Sequence, residues 1–375
     1  LLMQNNLFEN YYVWWKNIDK IIFVIILGLF LLGLFFSLVS TSIIASDKLS
    51  TNSYYFFIKH LIFIILSVFI FISLSYFEKN KVLKFCIIFF FISFIFLLLV
   101  PFLGVEVKGS KRWLDFGFLP RFQPVELLKP FIIVLLSTLF TVSNFRSIYY
   151  KYLLSLTIVS PVILLLILQP DIGQSILITL VWFSLIFVSG INLLLFFSFF
   201  VFLGSTLIYS IIFFPKFSYI KLRLISFFRP ETGNTYQSDR ASEAIMNGGL
   251  FGKGIGEGTL NSKVPEAHTD YIISVISEEF GVVVVIVIML IYLVLSFQVM
   301  KKSDKEKDPK IKLILLGCIT LLLLQTFIHV GVNIGILPTT GMTLPFLSYG
   351  GSSIISTALV SGIILNLTKR RLSDI

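Results

Sequence analysis

Uninterrupted apolar runs of 18 residues or more, divided by short polar segments, recur along the whole chain. About 20 apolar residues cross a hydrocarbon core of roughly 30 Å as a helix, which satisfies its own backbone polar groups where no water is present. The runs predict spans near residues 21 to 40, 55 to 76, 85 to 103, 124 to 142, 152 to 168, 174 to 190, 192 to 214, 271 to 298, 312 to 335 and 345 to 367. The expected fold class is all-α and integral to the membrane, with about ten transmembrane helices and one large loop between the seventh and eighth. Only Gly190, Ile191 and Asn192 separate the sixth run from the seventh, so a reentrant segment is an alternative there. The first run, from Ile21 to about Ser40, is longer than a signal-peptide core and lacks a small-residue cleavage site, so it is read as a retained span.

Composition supports that picture. Of 375 residues 57% are hydrophobic and 13% charged, against about a quarter charged in a soluble domain. An ordinary soluble globular protein is excluded. The net charge of +10 raises nucleic acid as a partner, but Lys and Arg lie in blocks between spans rather than on one surface, and no nucleic acid is expected. The blocks report topology. Lys16 and Lys20, then Lys79, Lys81 and Lys84, then Arg146 and Lys151, then Lys301 to Lys312, then Lys369 to Arg371 fall on one side, which the positive-inside rule makes cytoplasmic. One polytopic domain, 1–375, follows: a short cytoplasmic N-terminus (1–20), an extracytoplasmic loop (215–269) and a short cytoplasmic C-terminus (368–375). Cys86 and Cys318 lie inside apolar runs and His60, His268 and His329 are scattered, so neither a disulfide framework nor a Cys/His metal site is indicated.

Two outer segments carry charge against the trend. One, 104–122, holds Lys108, Lys111, Arg112 and Arg121; the other, 215–269, includes Arg223. A structureless loop of that second length is unusual unless functional. In Lys108-Gly-Ser-Lys-Arg-Trp113 the cations and Trp113 read either as an interfacial anchor or as a diphosphate site. Glu126 and Lys129 of Gln123-Pro-Val-Glu-Leu-Leu-Lys129 share a helical face at i and i+3. A charge inside a span costs roughly 2.5 to 3.5 kcal/mol, so this is either a structural ion pair or a substrate contact. Gln169-Pro-Asp-Ile-Gly173 breaks the apolar pattern and leaves Asp171 either in an outer turn or lining a cavity. The run Gly248-Gly-Leu-Phe-Gly-Lys-Gly-Ile-Gly-Glu-Gly258 fails the P-loop pattern, because Asn247 stands at the first required glycine and Gly254 follows Lys253; tight turns explain it. Pro265-Glu-Ala-His-Thr-Asp270 enters an apolar helix on which Ser274, Ser277, Glu278 and Gly281 form a polar stripe, placing Glu278 about 12 Å along the axis from Asp270. Asp270 then stands at the outer mouth of a groove, or with Thr269 caps the helix. Pro338 to Ser353 carries polar, small and helix-breaking residues between the last two spans and is expected beside the same groove.

The motifs KGSKRW, QPVELLK, QPDIGQS, the glycine-rich loop, PEAHTDYIISVISEEFG and LPTTGMTLPFLSYGGSS occur in one order over nearly the whole chain. In these residues the sequence resembles the SEDS family of cell-wall polymerases (FtsW, RodA, SpoVE), and the PEAHTD and GMTLP forms look more like the division branch than the elongation branch. The resemblance implies a ten-helix peptidoglycan glycosyltransferase that joins lipid II at the outer face of the bacterial inner membrane. Its implied partners are a class B penicillin-binding protein, other division or elongation proteins, and membrane lipid. It further implies that Asp270 is the catalytic carboxylate. Lys108, Lys111, Arg112, Trp113, Glu126, Lys129, Asp171, Arg223, His268 and Glu278 are expected to bind substrate. Division-branch members often carry an acid shortly before PEAHTD, where this chain reads Asn261-Ser-Lys-Val264.

Glycan transfer needs a base for the acceptor hydroxyl and positive charge for the departing diphosphate. Asp270 supplies the first; Lys108, Lys111 and Arg112, helped by Arg223, are candidates for the second. No organic cofactor is expected, and a divalent cation (Mg or Mn) held by Glu126 or Asp171 is an alternative source of charge. A flippase for the lipid-linked precursor and a divisome scaffold remain rival readings, although the unusual residues cluster toward one face, where a transporter should keep them at mid-bilayer.

Overall fold

The computed structural model describes residues 11–48, 54–107, 109–118, 120–143, 147–229, 231, 235–260 and 264–370, without the side chains of 41–48 and of residue 216. Lys108, Arg146, Arg371 and the departure at Asn261 to Lys263 lie outside the described residues.

Helices α1 (Lys20–Lys48), α2 (Tyr55–Tyr76) and α3 (Lys79–Leu103) precede a hairpin of β1 (Val105–Val107) and β2 (Ser110–Trp113). Then come α4 (Pro124–Thr141), α5 (Ile148–Leu168), α6 (Ile172–Val188) and α7 (Leu193–Phe213). The long loop holds α8 (Ser218–Phe228) and α9 (Tyr236–Gly248), so it is not structureless. After it follow α10 (Ile272–Phe280), α11 (Val282–Lys305), α12 (Pro309–Asn333) and α13 (Gly351–Leu367). Among the described residues, eight helices are long and apolar enough to cross a membrane, and α6 and α13 are shorter apolar helices. The chain is a multi-pass membrane protein.

Burial sorts these helices. In α4 and α12 about seven-tenths of the best apolar window is buried, and α13 is buried along nearly its whole length. These form the centre: α13 packs on α2 and α4, while α12 packs on α6, α4 and α11. Outer helices α2, α3, α5 and α11 bury 28% of that window, so their remaining apolar surface faces lipid. α7 buries none of it, and a helix apolar all round yet unburied in its own fold meets only lipid or another chain. Its start is fixed by Asn192, whose side chain accepts from the Leu194 N–H at 2.9 Å, so that α6 and α7 are separate helices. α3 begins six residues before the expected span at 85, because Lys79, Lys81 and Lys84 extend past the hydrocarbon from a helical first turn.

The expected single span over 271 to 298 is two helices. They separate at Gly281, which has φ +86°, a backbone conformation that side chains disfavour. The glycine-rich loop crosses at this break and satisfies both new helix ends. Lys253 and Gly254 donate their N–H groups to the Glu278 and Glu279 carbonyls at 2.9 and 3.0 Å, while the Val282 and Val283 N–H groups bond Gly249 O and Leu250 O at 3.0 and 3.2 Å. A Cβ on Gly252 would lie 2.2 Å from Glu279 O, so only glycine permits this approach. The signal in the sequence was a second set of glycines far upstream, which periodicity does not connect to Gly281.

Candidate active site

Asp270 is half-buried one residue before the α10 N-cap position, which Tyr271 occupies without a side-chain cap bond. Thr269 Oγ1 donates to Glu266 instead. The Thr269 hydroxyl therefore turns back to Glu266 rather than forward to the helix. The backbone around Asp270 is held from the Pro338–Ser353 segment and from α12. Ser348 Oγ donates to Thr269 O at 2.6 Å, and the Tyr349 N–H donates to His268 O at 2.9 Å. Asn333 Nδ2 donates to Asp270 O at 3.1 Å, and its Oδ1 accepts from Ser274 Oγ at 3.0 Å. Gly341 lies against the carboxylate, where an added Cβ would sit 3.4 Å from Oδ2. His268 stands beside Tyr349, and Tyr349 beside His60 of α2, at ring separations of 5.5 and 5.4 Å.

The hairpin delivers the cationic side. Arg112 reaches the turn between α5 and α6, donating from Nε to Gln169 O at 3.1 Å and from a terminal nitrogen to Pro170 O, with Asp171 Oδ1 3.8 Å away. Gln123 Nε2 holds the other oxygen of Asp171 at 2.6 Å. Burial pushes the Asp171 carboxyl above its usual range and the Arg112 charge opposes that shift. Arg223, on α8, donates to Thr339 O at 3.2 Å. Burial first, and then the neighbouring Arg112 charge, holds its guanidinium below its ordinary value. Arg112 and Arg223 thus lie near each other and near Asp171, and Arg223 and Asp270 both act on Tyr271, so two guanidiniums and two carboxylates face this region, the guanidiniums being groups suited to phosphate oxygens. Lys111 is exposed on the hairpin and Trp113 half-buried at its end.

Tyr271 ties the two sides together. It is 2% exposed, its hydroxyl has no hydrogen-bond partner, and burial with the Asp270 charge pushes it up to about 12 while Arg223 opposes. A buried donor without a partner beside a carboxylate and a guanidinium is a group awaiting a ligand oxygen. Nothing in the hydrophobic pattern separates this Tyr from the helix that follows it.

Glu126 and Lys129 pair at 2.8 Å, at 3% and 1% exposure, inside α4. Gln174 Nε2 donates to Glu126 at 2.6 Å, Lys129 donates to Gln325 at 3.1 Å, and Gln325 donates to Thr343 O at 2.9 Å. Of the two readings of this pair, the geometry is that of an internal ion pair: its contact with the site runs through Gln325 and the Pro338–Ser353 segment. Glu278 is likewise buried, accepting from Asn247 Nδ2 and the Leu260 N–H at 2.8 and 2.9 Å. It clamps the glycine-rich loop rather than lining a groove. Gln174, Gln325 and Asn333 were legible as polar residues inside apolar runs, and their roles were missed.

The carboxylates anticipated for a divalent cation do not fit one. Asp171 is engaged by Gln123 and Arg112, and Glu126 by Lys129 and Gln174. Among the described residues no group of three or more His, Cys, Asp or Glu side chains gathers.

The family model described as "Cell cycle protein", covering FtsW, RodA and SpoVE, matches residues 19–372. A probable peptidoglycan glycosyltransferase FtsW of Caulobacter vibrioides is 30% identical over 96% of this chain and 91% of its own length. The protein of that name from Coxiella burnetii is 32% identical over 93% and 95%. A solved chain described under "Structural coordination of polymerization and crosslinking by a peptidoglycan synthase complex" matches with TM-score 0.75 and 25% identity over 94% of this chain and 97% of that one. RodA of Thermus thermophilus shares the fold, with TM-score 0.68 at 22% identity over 94% and 96%. With the family match running from the first span to the last, the chain belongs to the FtsW/RodA/SpoVE family of membrane proteins.

Proposed function

We propose that this chain is a peptidoglycan glycosyltransferase that polymerises lipid II into glycan strands for septal synthesis at the outer face of the bacterial inner membrane, with both termini cytoplasmic. The observation that carries the reading is one half-buried carboxylate, Asp270, whose backbone is held by Asn333 and, through Thr269, by Ser348, and which acts on Tyr271 together with Arg223. The names borne by the curated relatives support the activity and the division branch.

Asp270 takes the proton from the acceptor sugar hydroxyl as its oxygen bonds the donor's anomeric carbon. The bond from that carbon to the diphosphate oxygen breaks, and the departing lipid diphosphate takes the electron pair. Arg112 and Arg223 stabilise the new charge, with Lys111 at the rim and the Tyr271 hydroxyl as a neutral donor. His268 and Trp113 border the pocket. The activated diphosphate is in the substrate, so no nucleotide is required, and the polyprenyl tail stays in lipid beside the bundle. A class B penicillin-binding protein is the proposed partner, supported by the solved synthase complex in which polymerisation and crosslinking are coordinated.

The test is glycan-strand formation from purified lipid II, with and without a cognate penicillin-binding protein, comparing wild type with Asp270→Asn. Loss of a general base removes roughly 10²- to 10⁴-fold of rate. Polymer from wild type and not from the mutant, at equal folded protein and partner binding, supports the proposal. Equal polymer from both refutes the role of Asp270. No polymer from either, with any partner, favours the flippase or scaffold readings.

A further inference from the structure

The bonds at the α10–α11 break hold residues 249–256 at one level. Beside the four backbone bonds of Gly249, Leu250, Lys253 and Gly254, the Gly256 N–H donates to the Glu279 carboxylate. That level is set by α11. Its exposed residues Val283, Ile286, Val287, Leu290, Leu293 and Phe297 recur at three- and four-residue spacing, one lipid-facing stripe that begins in the first turn. At the far end of the helix the exposed Lys301 and Lys305 mark the opposite boundary of the hydrocarbon. About 20 helical residues cross a core of roughly 30 Å, so counting back from Lys301 puts the near boundary close to Gly281, where the loop crosses. At the lysine end Ser303 Oγ of α11 donates to Lys312 O of α12 at 3.4 Å. Asn333, at the other end of α12 and bonded to Asp270 O, therefore lies on the loop's side of the membrane.

At this level the loop turns apolar side chains outward. Leu250 and Phe251 are 65% and 81% exposed, Met246 and Ile255 are exposed with them, and the exposed cation Lys253 stands between Phe251 and Ile255. An apolar patch of this kind marks contact with another protein or with a membrane. Continuity favours the membrane: Leu250 O accepts from the Val283 N–H at 3.2 Å, so the patch adjoins the first residue of the lipid-facing stripe. Lys253 fits the same surroundings, with its stem along the apolar boundary and its ammonium among lipid phosphates. The exposed carboxylate of Glu257 bounds the depth, because an ionised group is costly in hydrocarbon.

We infer that the tip of the glycine-rich loop is an interfacial anchor, with Leu250, Phe251 and Ile255 seated in the lipid leaflet on the Asp270 side and Lys253 among that leaflet's phosphates. None of these side chains enters the chemistry proposed above, so the anchor stands or falls apart from that reading.

Cys86 and Cys318 are buried, so a single introduced cysteine takes a nitroxide label in the full chain, reconstituted in nanodiscs of phosphatidylcholine and phosphatidylglycerol. Relaxation of the label by oxygen, which concentrates in hydrocarbon, is compared with relaxation by a water-soluble nickel chelate. Ile286→Cys on the α11 stripe supplies the lipid reference, and Lys305→Cys beyond the far boundary supplies the water reference. Phe251→Cys should give an oxygen-to-nickel ratio several-fold above that of Lys305→Cys and approaching that of Ile286→Cys. Should Phe251→Cys fail to reconstitute, Ile255→Cys, equally outward-facing, carries the same comparison. A ratio equal to that of Lys305→Cys overturns the inference. So does a label at that water value that becomes shielded from both relaxing agents only when a penicillin-binding protein is added, which assigns the patch to a protein.

Discussion

Replacing Lys129 by Met tests whether the α4 ion pair is the internal strut its geometry makes it. At 2.8 Å and an effective dielectric near 20, the gross attraction is about 6 kcal/mol, most of which offsets the desolvation of two ions. Removing Lys129 leaves Glu126 with one neutral donor, Gln174, inside a bundle whose other walls are apolar, and breaking such pairs costs about 3 to 5 kcal/mol. Glu126→Gln leaves Lys129 facing only Gln325 and costs a similar amount. Membrane proteins discount these figures, since the unfolded chain in lipid also finds partners, so about 2 to 3 kcal/mol per single variant is expected. The double variant, Glu126→Gln with Lys129→Met, has no stranded charge. It should keep a residual cost of roughly 1 kcal/mol for the partner each Gln loses, and so fall short of the sum of the singles by about 3 kcal/mol or more. Reversible unfolding in mixed micelles of a denaturing and a mild detergent measures all four corners of the cycle. Additivity within about 0.5 kcal/mol would refute the argument, because it would mean that each charge is satisfied without the other.

Tyr271→Phe should keep the fold, since the hydroxyl holds no protein group, and slow glycan formation roughly 10- to 100-fold, the worth of a hydrogen bond to a charged oxygen; an unchanged rate removes Tyr271 from the site. Gly252→Ala should destabilise by about 2 to 4 kcal/mol, from a positive φ and a backbone collision. Gly256→Ala, at φ +79° but with open space around its Cβ position, should cost only about 1 kcal/mol, and equal melting losses would contradict the close approach. Asp19 and Asp308 are held below their ordinary value: burial opposes their charge in each case, but the Lys302 bond prevails at Asp19, and the Lys310 N–H with Lys79 at Asp308. Their contribution to stability is complete above the unfolded value of about 3.9 and is lost as pH falls through the lower folded values. Asn at both positions should flatten the acid limb of a stability-against-pH curve, and an unaltered limb would assign it to other groups.

The spans were legible because an apolar run of sufficient length has one stable form in lipid, and the polar break before α7 was legible at Gly190 to Asn192, while the cap bond of Asn192 was not. The division at Gly281 was not, since it depends on carbonyls and N–H groups supplied from residues 249 to 254, and no local period encodes a partner so distant. The same limit applies to the site. Asp270, Arg112 and Arg223 were nameable from motif and charge, whereas the roles of Asn333, Ser348 and Gln325 depend on which helix each of them faces. Tyr271 gave no signal at all, because an aromatic at the start of an apolar helix is ordinary in a membrane protein.

The attachments of Asp270 also set an order of events during synthesis. Residue 270 leaves the ribosome before Asn333, Ser348 and Tyr349, and those later residues hold the backbone of residues 268 to 270. A nascent chain that has inserted its first helices therefore carries the carboxylate without the cradle that aims it. Chain elongation itself acts as the safety catch: the polymerase arms only when α12 and the segment that follows it have joined the bundle.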